Sequence, residues 1–205
     1  LVAVKPQMTG EALLRLQRFG AGTTLFLSVA AGTSISTFEE VLGSSTPIVR
    51  AMPNTPAAVG QGITALIGNS RTTDTDLAEA QSLMAAVGQT VLLQDESQMD
   101  AVTGVSGSGP AYVFHLIETL AEAGVEQGLP AGMAMRLAQA TVAGAGALAV
   151  QSDESAEQLR INVTSPNGTT QAALEVLMHD KSGLQSLITS AVEAATKRSQ
   201  ELSND

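Results

Sequence analysis

The chain has 205 residues and a mass of 20.9 kDa, enough for one large domain or two small ones, and its 44% hydrophobic and 15% charged residues describe a folded protein rather than a disordered one. Twenty acidic against ten basic residues leave a formal charge of −10, and four phenylalanines, one tyrosine and no tryptophan supply the aromatics, so a nucleic-acid partner is excluded on both field and stacking. With no cysteine there is no disulfide framework, thiolate metal site or thiol nucleophile, and the cytoplasm is the expected compartment.

The opening Leu1-Val2-Ala3-Val4-Lys5-Pro6 reads as the end of a strand, so the chain as given reads as truncated at its N-terminus, and this opening does not read as a signal peptide. Thr9 to Phe19 has helical spacing, with Gly20 as its stop. Thr24 to Ala30 is a strand-length apolar run, and Ser36 with Glu39 fits a capping box for a short helix ending at Leu42. Strands follow at Pro47 to Met52 and Gly62 to Ile67, then a helix from Asp74 to Val87 stopped by Gly88, then a strand at Thr90 to Leu93. This alternation is the signature of an α/β domain, residues 1–95.

Beyond Ser97 the periodicity is helical: Glu96 to Val102, Pro110 to Gln127, Pro130 to Val150, Ala156 to Asn162, Thr169 to His179 and Gly183 to Leu202. Pro110 and Pro130 stand where first-turn prolines belong, Gly128 where a helix ends, and Ser155 with Gln158 fits another capping box. Residues 96–205 therefore read as an all-α domain. The most apolar stretch, Ala138 to Val150, is rich in Ala and Gly and falls short of the roughly 20 residues of a membrane span, so no membrane is expected. Its small side chains predict a buried helix. Gly144 and Gly146 each cost about 1 kcal/mol of helix propensity that tertiary contact must offset, which points to helices interlocking between copies.

Three segments could carry chemistry. Thr103-Gly-Val-Ser-Gly-Ser-Gly-Pro110 is either a helix-entry turn or the wall of a ligand site; neither the Gly-x-x-x-x-Gly-Lys phosphate loop nor Gly-x-Gly-x-x-Gly after a strand occurs. Thr164-Ser-Pro-Asn-Gly-Thr-Thr170 opens directly into a helix. It serves as a plain cap or, with hydroxyls beside free N–H groups, as a site for a small carboxylate. Arg50 to Pro56 and Lys5-Pro6 lie at the carboxyl ends of strands, the edge where open α/β sheets bind ligands. His115 and His179 have no partners at ligand spacing, so no metal is expected, and His115 reads as a packed or interface residue. No Gly-x-Ser-x-Gly elbow follows a strand.

Taken in order, Ala3 to Gln7, Ala30-Ala-Gly32, Arg50-x-Met-Pro-Asn-Thr-Pro56, Asp100 to Tyr112, Gly128-Leu-Pro130 and Val163 to Thr170 closely resemble pyrroline-5-carboxylate reductase over essentially the whole chain. Asn167 departs from the family's glycine in the Ser-Pro-Gly-Gly-Thr turn, and Asn tolerates the left-handed conformation. The family's opening strand, Gly-x-Gly-x-Met-Ala loop and two further strand–helix units have no counterpart in these residues. The resemblance implies an NADPH- or NADH-dependent oxidoreductase that makes L-proline from 1-pyrroline-5-carboxylate. It also implies a Rossmann-type domain ahead of a helical domain that interlocks into dimers, and in many members decamers. It further implies that Ala3, Val4, Lys5, Pro6, Val29, Ala30 and Ala31 line the cofactor, that Asn162 reaches it across the subunit interface, and that Glu96, Ser165, Thr169 and Thr170 hold the substrate, with Thr170 at the ring nitrogen. The rival readings are an inactive fragment retaining the dimerisation helices and a β-hydroxyacid-type dehydrogenase. The latter generally needs a lysine in its helical domain, and none occurs from Asp100 to Asp180.

Overall fold

The computed structural model describes residues 1–204, with the side chains of Pro6, Ser203 and Asn204 outside that description. The elements in order are α1 (Thr9–Leu16), β1 (Phe26–Ser28), α2 (Ile35–Leu42), β2 (Ile48–Met52), β3 (Gly62–Gly68), α3 (Asp74–Ala85) and β4 (Gly88–Leu92). There follow α4 (Gln98–Val102), α5 (Gly109–Glu126), α6 (Ala131–Gln151), α7 (Ala156–Asn162), α8 (Thr169–Leu177) and α9 (Leu184–Asn204). By compactness the chain forms two units, one of Leu1–Pro110 with the chain from Val192 onward, the other of Ala111–Ala191.

The first unit is α/β. Its described strands form one sheet in the order β1-β2-β3-β4, in which β1 and β2 run parallel, β2 and β3 antiparallel, and β3 and β4 parallel. One face packs Leu13, Phe38, Leu42, Ile48 and Met99 into a core; the other packs Leu27, Val49, Leu66, Ala80 and Met84. These are the alternate positions of β1–β3 with the apolar stripes of α1–α3, so the period-2 and period-3.6 patterns meet on both faces. Gly20 ends α1 through a short 3₁₀ turn, Gln17–Phe19, in an extended rather than left-handed conformation. A Cβ there would run into the Leu42 carbonyl.

Several local expectations change. The cap of α2 is Ser34, not Ser36: Ser34 is extended and its hydroxyl accepts the Thr37 N–H at 3.3 Å, while Ser36 Oγ turns back to Ser34 Oγ at 2.8 Å. Ser155 does cap α7, accepting the Gln158 N–H at 3.1 Å, but the Gln158 side chain reaches Asn162 instead of closing a capping box. Pro130 caps α6 rather than lying inside it, and Gly128 ends α5 at φ 94°. The glycine–serine segment after α4 leads into the next helix, as a helix-entry turn does, but with its own geometry. Thr103–Gly107 is a π-helical turn that carries the chain from α4 into α5.

In the second unit the core is small: Ala121, Ala134 and Ala138, with Ile117 and Met135 against them. The expectation that α6 is buried fails within one chain. Leu137, Leu148 and Val150 are more than half exposed, and a Cβ at Gly144 or Gly146 would meet nothing within 4 Å. The helix is also longer than its most apolar stretch, 21 residues with mean hydropathy 1.3, long and apolar enough by length and composition to cross a bilayer. One such helix is weak evidence for a span, because an apolar helix that packs against protein passes the same test.

Gly88 holds φ at 148°, and a Cβ there would collide with the Gly62 carbonyl across the β3–β4 pair. Gly88→Ala is expected to destabilise the chain by about 2 kcal/mol or more, measured as a lowered thermal midpoint by circular dichroism.

Candidate functional site

The first unit brings two of the expected cofactor segments side by side. Val2 forms a parallel bridge to Ser28, donating its N–H to the Leu27 carbonyl at 2.7 Å and accepting the Val29 N–H at 3.0 Å. Residues 3–6 and 29–31 consequently leave the sheet edge together. The Lys5 carbonyl then accepts the Met8 N–H at 2.8 Å, which folds Pro6–Met8 into a 3₁₀ turn. Buried Ser28 Oγ accepts the Ala30 N–H at 3.2 Å, and Gly32 turns the chain at φ 72°. Ala3, Lys5 and Ala31 are exposed, Val4 and Val29 half-buried, and Ala30 buried; the Pro6 side chain lies outside the described residues. The result is an edge of small side chains at the end of β1, with a single cation, Lys5, on the neighbouring segment.

Glu96 also belongs to this unit. Its Oε1 accepts from Arg50 Nη1 at 2.7 Å and from the Ile35 N–H, the first turn of α2, at 2.9 Å. Arg50 projects from β2 with only 8% of its side chain exposed, against 30% for Glu96. One carboxylate thus neutralises a buried guanidinium and satisfies a helix-start donor, its second oxygen having no hydrogen-bond partner among the described residues. The neighbouring Asp95, which is exposed, is held below the usual carboxylate range by hydrogen bonds from the Ser97 hydroxyl and backbone N–H. Arg50 was noticed in the sequence only as part of a strand-end motif; 46 residues separate it from Glu96, and no local pattern joins them.

The second unit carries the remaining residues. Asn162 ends α7 with both amide atoms engaged: Oδ1 accepts from Gln158 Nε2 at 2.8 Å, and Nδ2 donates to Glu154 Oε2 at 2.8 Å. After Thr164, whose hydroxyl donates to the Arg160 carbonyl at 2.6 Å, the chain turns tightly, the Gly168 N–H meeting the Ser165 carbonyl at 3.0 Å. Asn167 sits in the left-handed region at φ 58°, as expected of the residue replacing glycine there, and Gln171 Oε1 accepts its N–H at 2.8 Å. Gly168 is the N-cap of α8 and has no side chain to cap with. The first-turn N–H groups of α8 therefore stay open beside Ser165, Thr169 and Thr170, of which only Thr170 is half-buried. Among the described residues, no group of three or more His, Cys, Asp or Glu side chains could hold a metal. His115 is exposed in the single chain and pairs with Glu118 at 3.2 Å.

An α/β unit with a small-residue edge at a strand's carboxyl end, followed by a helical unit with an open helix start beside hydroxyls, is the plan of a two-part oxidoreductase, the class to which its relatives belong. Residues 96–202 match the family model described as pyrroline-5-carboxylate reductase dimerisation. The chain is 46% identical to a pyrroline-5-carboxylate reductase of Synechocystis over 98% of its own length and 74% of that protein's. A solved pyrroline-5-carboxylate reductase of Coxiella burnetii superposes with a TM-score of 0.94 at 39% identity, covering 98% of this chain and 74% of the other. The Plasmodium falciparum enzyme, solved with NADP bound, gives 0.85 at 33% identity over 98% and 79%. The chain belongs to the pyrroline-5-carboxylate reductase family.

Glu96→Gln weakens the compensation of a buried guanidinium. It is expected to lower unfolding free energy by on the order of 2 kcal/mol, read from the urea midpoint; an unchanged midpoint would show that the pair contributes no net stability.

Proposed function

We propose that this chain reduces 1-pyrroline-5-carboxylate to L-proline with a hydride from NADPH or NADH. The observation that carries this reading is the open start of α8, with Ser165, Thr169 and Thr170 around it, in a chain of this family. Backbone N–H groups and the positive end of the helix dipole favour the substrate carboxylate there, and the Ser165 and Thr169 hydroxyls add donors. The Thr170 hydroxyl lies at the ring nitrogen, where it donates a hydrogen bond or relays a proton; a threonine hydroxyl is too weak an acid to protonate the imine unaided. Glu96 contributes through the carboxylate oxygen that Arg50 and Ile35 leave uncommitted.

The nicotinamide cofactor, when bound, supplies the hydride, and the protein supplies orientation. Ala3, Val4, Lys5, Pro6, Val29, Ala30 and Ala31 line it, the alanines and Gly32 allowing a close approach, and Asn162 reaches it from a second copy. The function divides at residue 95, with residues 1–95 holding the cofactor and residues 96–205 holding substrate and partner, a division supported by the 96–202 match. The exposed apolar surface of α6 supports a homodimer, and decamers built from such dimers are the larger state proposed. A cytoplasmic location, away from any membrane, goes with this assembly.

Thr170→Ala is expected to lower turnover ten- to a hundredfold, on the order of one or two lost transition-state hydrogen bonds, with little change in the KM for NADPH. Thr170→Ser should retain most of it. Steady-state NADPH oxidation with pyrroline-5-carboxylate reads both, and unchanged turnover in the alanine variant removes Thr170 from the mechanism.

A further inference from the structure

Two segments have no part in the reaction above: Met52 to Pro56, which follows Arg50, and the run from Thr103 to Pro110. Both lie in the first unit, and one side chain joins them. In a regular α-helix the Ser106 carbonyl would accept the N–H four residues on, but that residue is Pro110, which has no N–H. The π-turn shifts the local pairing, so that the Ser108 N–H meets the Thr103 carbonyl at 2.8 Å, and Asn54 Nδ2 donates to the Ser106 carbonyl at 3.1 Å. The other end of the same amide, Oδ1, accepts the Ile63 N–H in β3 at 2.9 Å. Asn54 is half-buried, and the terminal methyl of Met52 stands 3.1 Å from where a Cβ on Gly107 would be, so the π-turn closes directly on the end of β2.

An amide has one donating and one accepting end, and both are used, so the bridge fixes side-chain orientation as well as distance. Residues 52–56 follow β2 as residues 29–31 follow β1. The two strands are parallel with Ser28 opposite Arg50, so both segments leave the sheet at the same end.

We propose that Asn54 is a positioning residue of the reductase: it gives Ser106 the donor that Pro110 lacks, and so fixes the course of the segment after β2, which leaves the sheet at the same end as the cofactor edge at Val29–Ala31. This assignment rests on the reductase reading. In this role Asn54 acts through the backbone it holds, the Ser106 carbonyl and the Ile63 N–H.

The test uses the purified chain and three variants. Asn54→Asp keeps the acceptor for Ile63 and loses the donor to Ser106; Asn54→Ala loses both; Asn54→Asp with Pro110→Ala returns a backbone N–H to Ser106. In Asn54→Asp the KM for NADPH is expected to rise about tenfold, the scale of one lost hydrogen bond, while the KM for pyrroline-5-carboxylate stays within about twofold. Adding Pro110→Ala is expected to recover most of that loss. Amide exchange at Ile63 should stay slow in Asn54→Asp and become fast in Asn54→Ala; if the alanine variant fails to fold, the aspartate pair decides alone. A KM for NADPH within about twofold of the parent in Asn54→Asp, or a loss that Pro110→Ala leaves untouched, overturns the assignment. Turnover absent from the parent chain itself overturns the reductase reading and the assignment with it, whereas a working parent with unmoved variants overturns the assignment alone.

Discussion

Helix α6 presents Leu137, Leu148 and Val150 to solvent, and within its own chain buries only Ala134 and Ala138. A fully buried Leu or Val contributes roughly 1.5–3 kcal/mol relative to an exposed one, so three such side chains left open forgo much of what a marginally stable unit needs. The glycines sharpen the constraint. Gly144 and Gly146 weaken the helix and meet nothing in the chain, which makes sense where another backbone approaches closely. The helices that flank the proposed substrate turn are uncovered too, since neither α7 nor α8 contains a buried residue. Their order, and with it the open start of α8, follows from whatever covers the second unit.

The first unit differs in kind. It has a core on each face of its sheet, built from Phe38, Leu13 and Ile48 on one side and Leu66 and Val49 on the other. Its ligand edge is held by backbone pairing of Val2 with β1 and by the Arg50–Glu96–Ile35 cluster, all within the unit. A unit with its own core on both faces of the sheet, and a helical one that needs a second copy, together suit a family whose model here is a dimerisation domain.

Much of this was legible in the sequence because it is local. Period-2 runs gave β1, β2 and β3, helical spacing gave α3 and α5 to α9, and the chemistry of Asn explained the left-handed Asn167 before its φ was seen. What escaped was of two sorts. Competing local signals misled where Ser34 and Ser36 both precede α2: the Ser36–Glu39 spacing looks like a capping box, yet the extended backbone at Ser34 takes the cap. Glycine and serine from Thr103 to Ser108 suggest a helix-entry turn or a ligand-site wall but not its geometry: Thr103–Gly107 continues the helical path as a π-turn with Pro110 just beyond it. Long-range pairs were invisible for a different reason. Arg50 meets Glu96 across 46 residues and Asn54 meets Ser106 across 52, separations at which no periodicity reports. The apolar composition of α6 says that the helix must be covered, and its exposure within one chain leaves that cover to a second copy, as the sequence suggests.

Sedimentation equilibrium of the purified chain at micromolar concentration tests the dependence on a second copy most directly, because the mass of one chain is 20.9 kDa. A dimer or a larger multiple, holding its helical circular dichroism as it is diluted until it dissociates, is the result the uncovered α6 requires. A monomer with full helical signal and no exposed-surface dye binding would contradict it, since the second unit would then stand with its apolar helix in water.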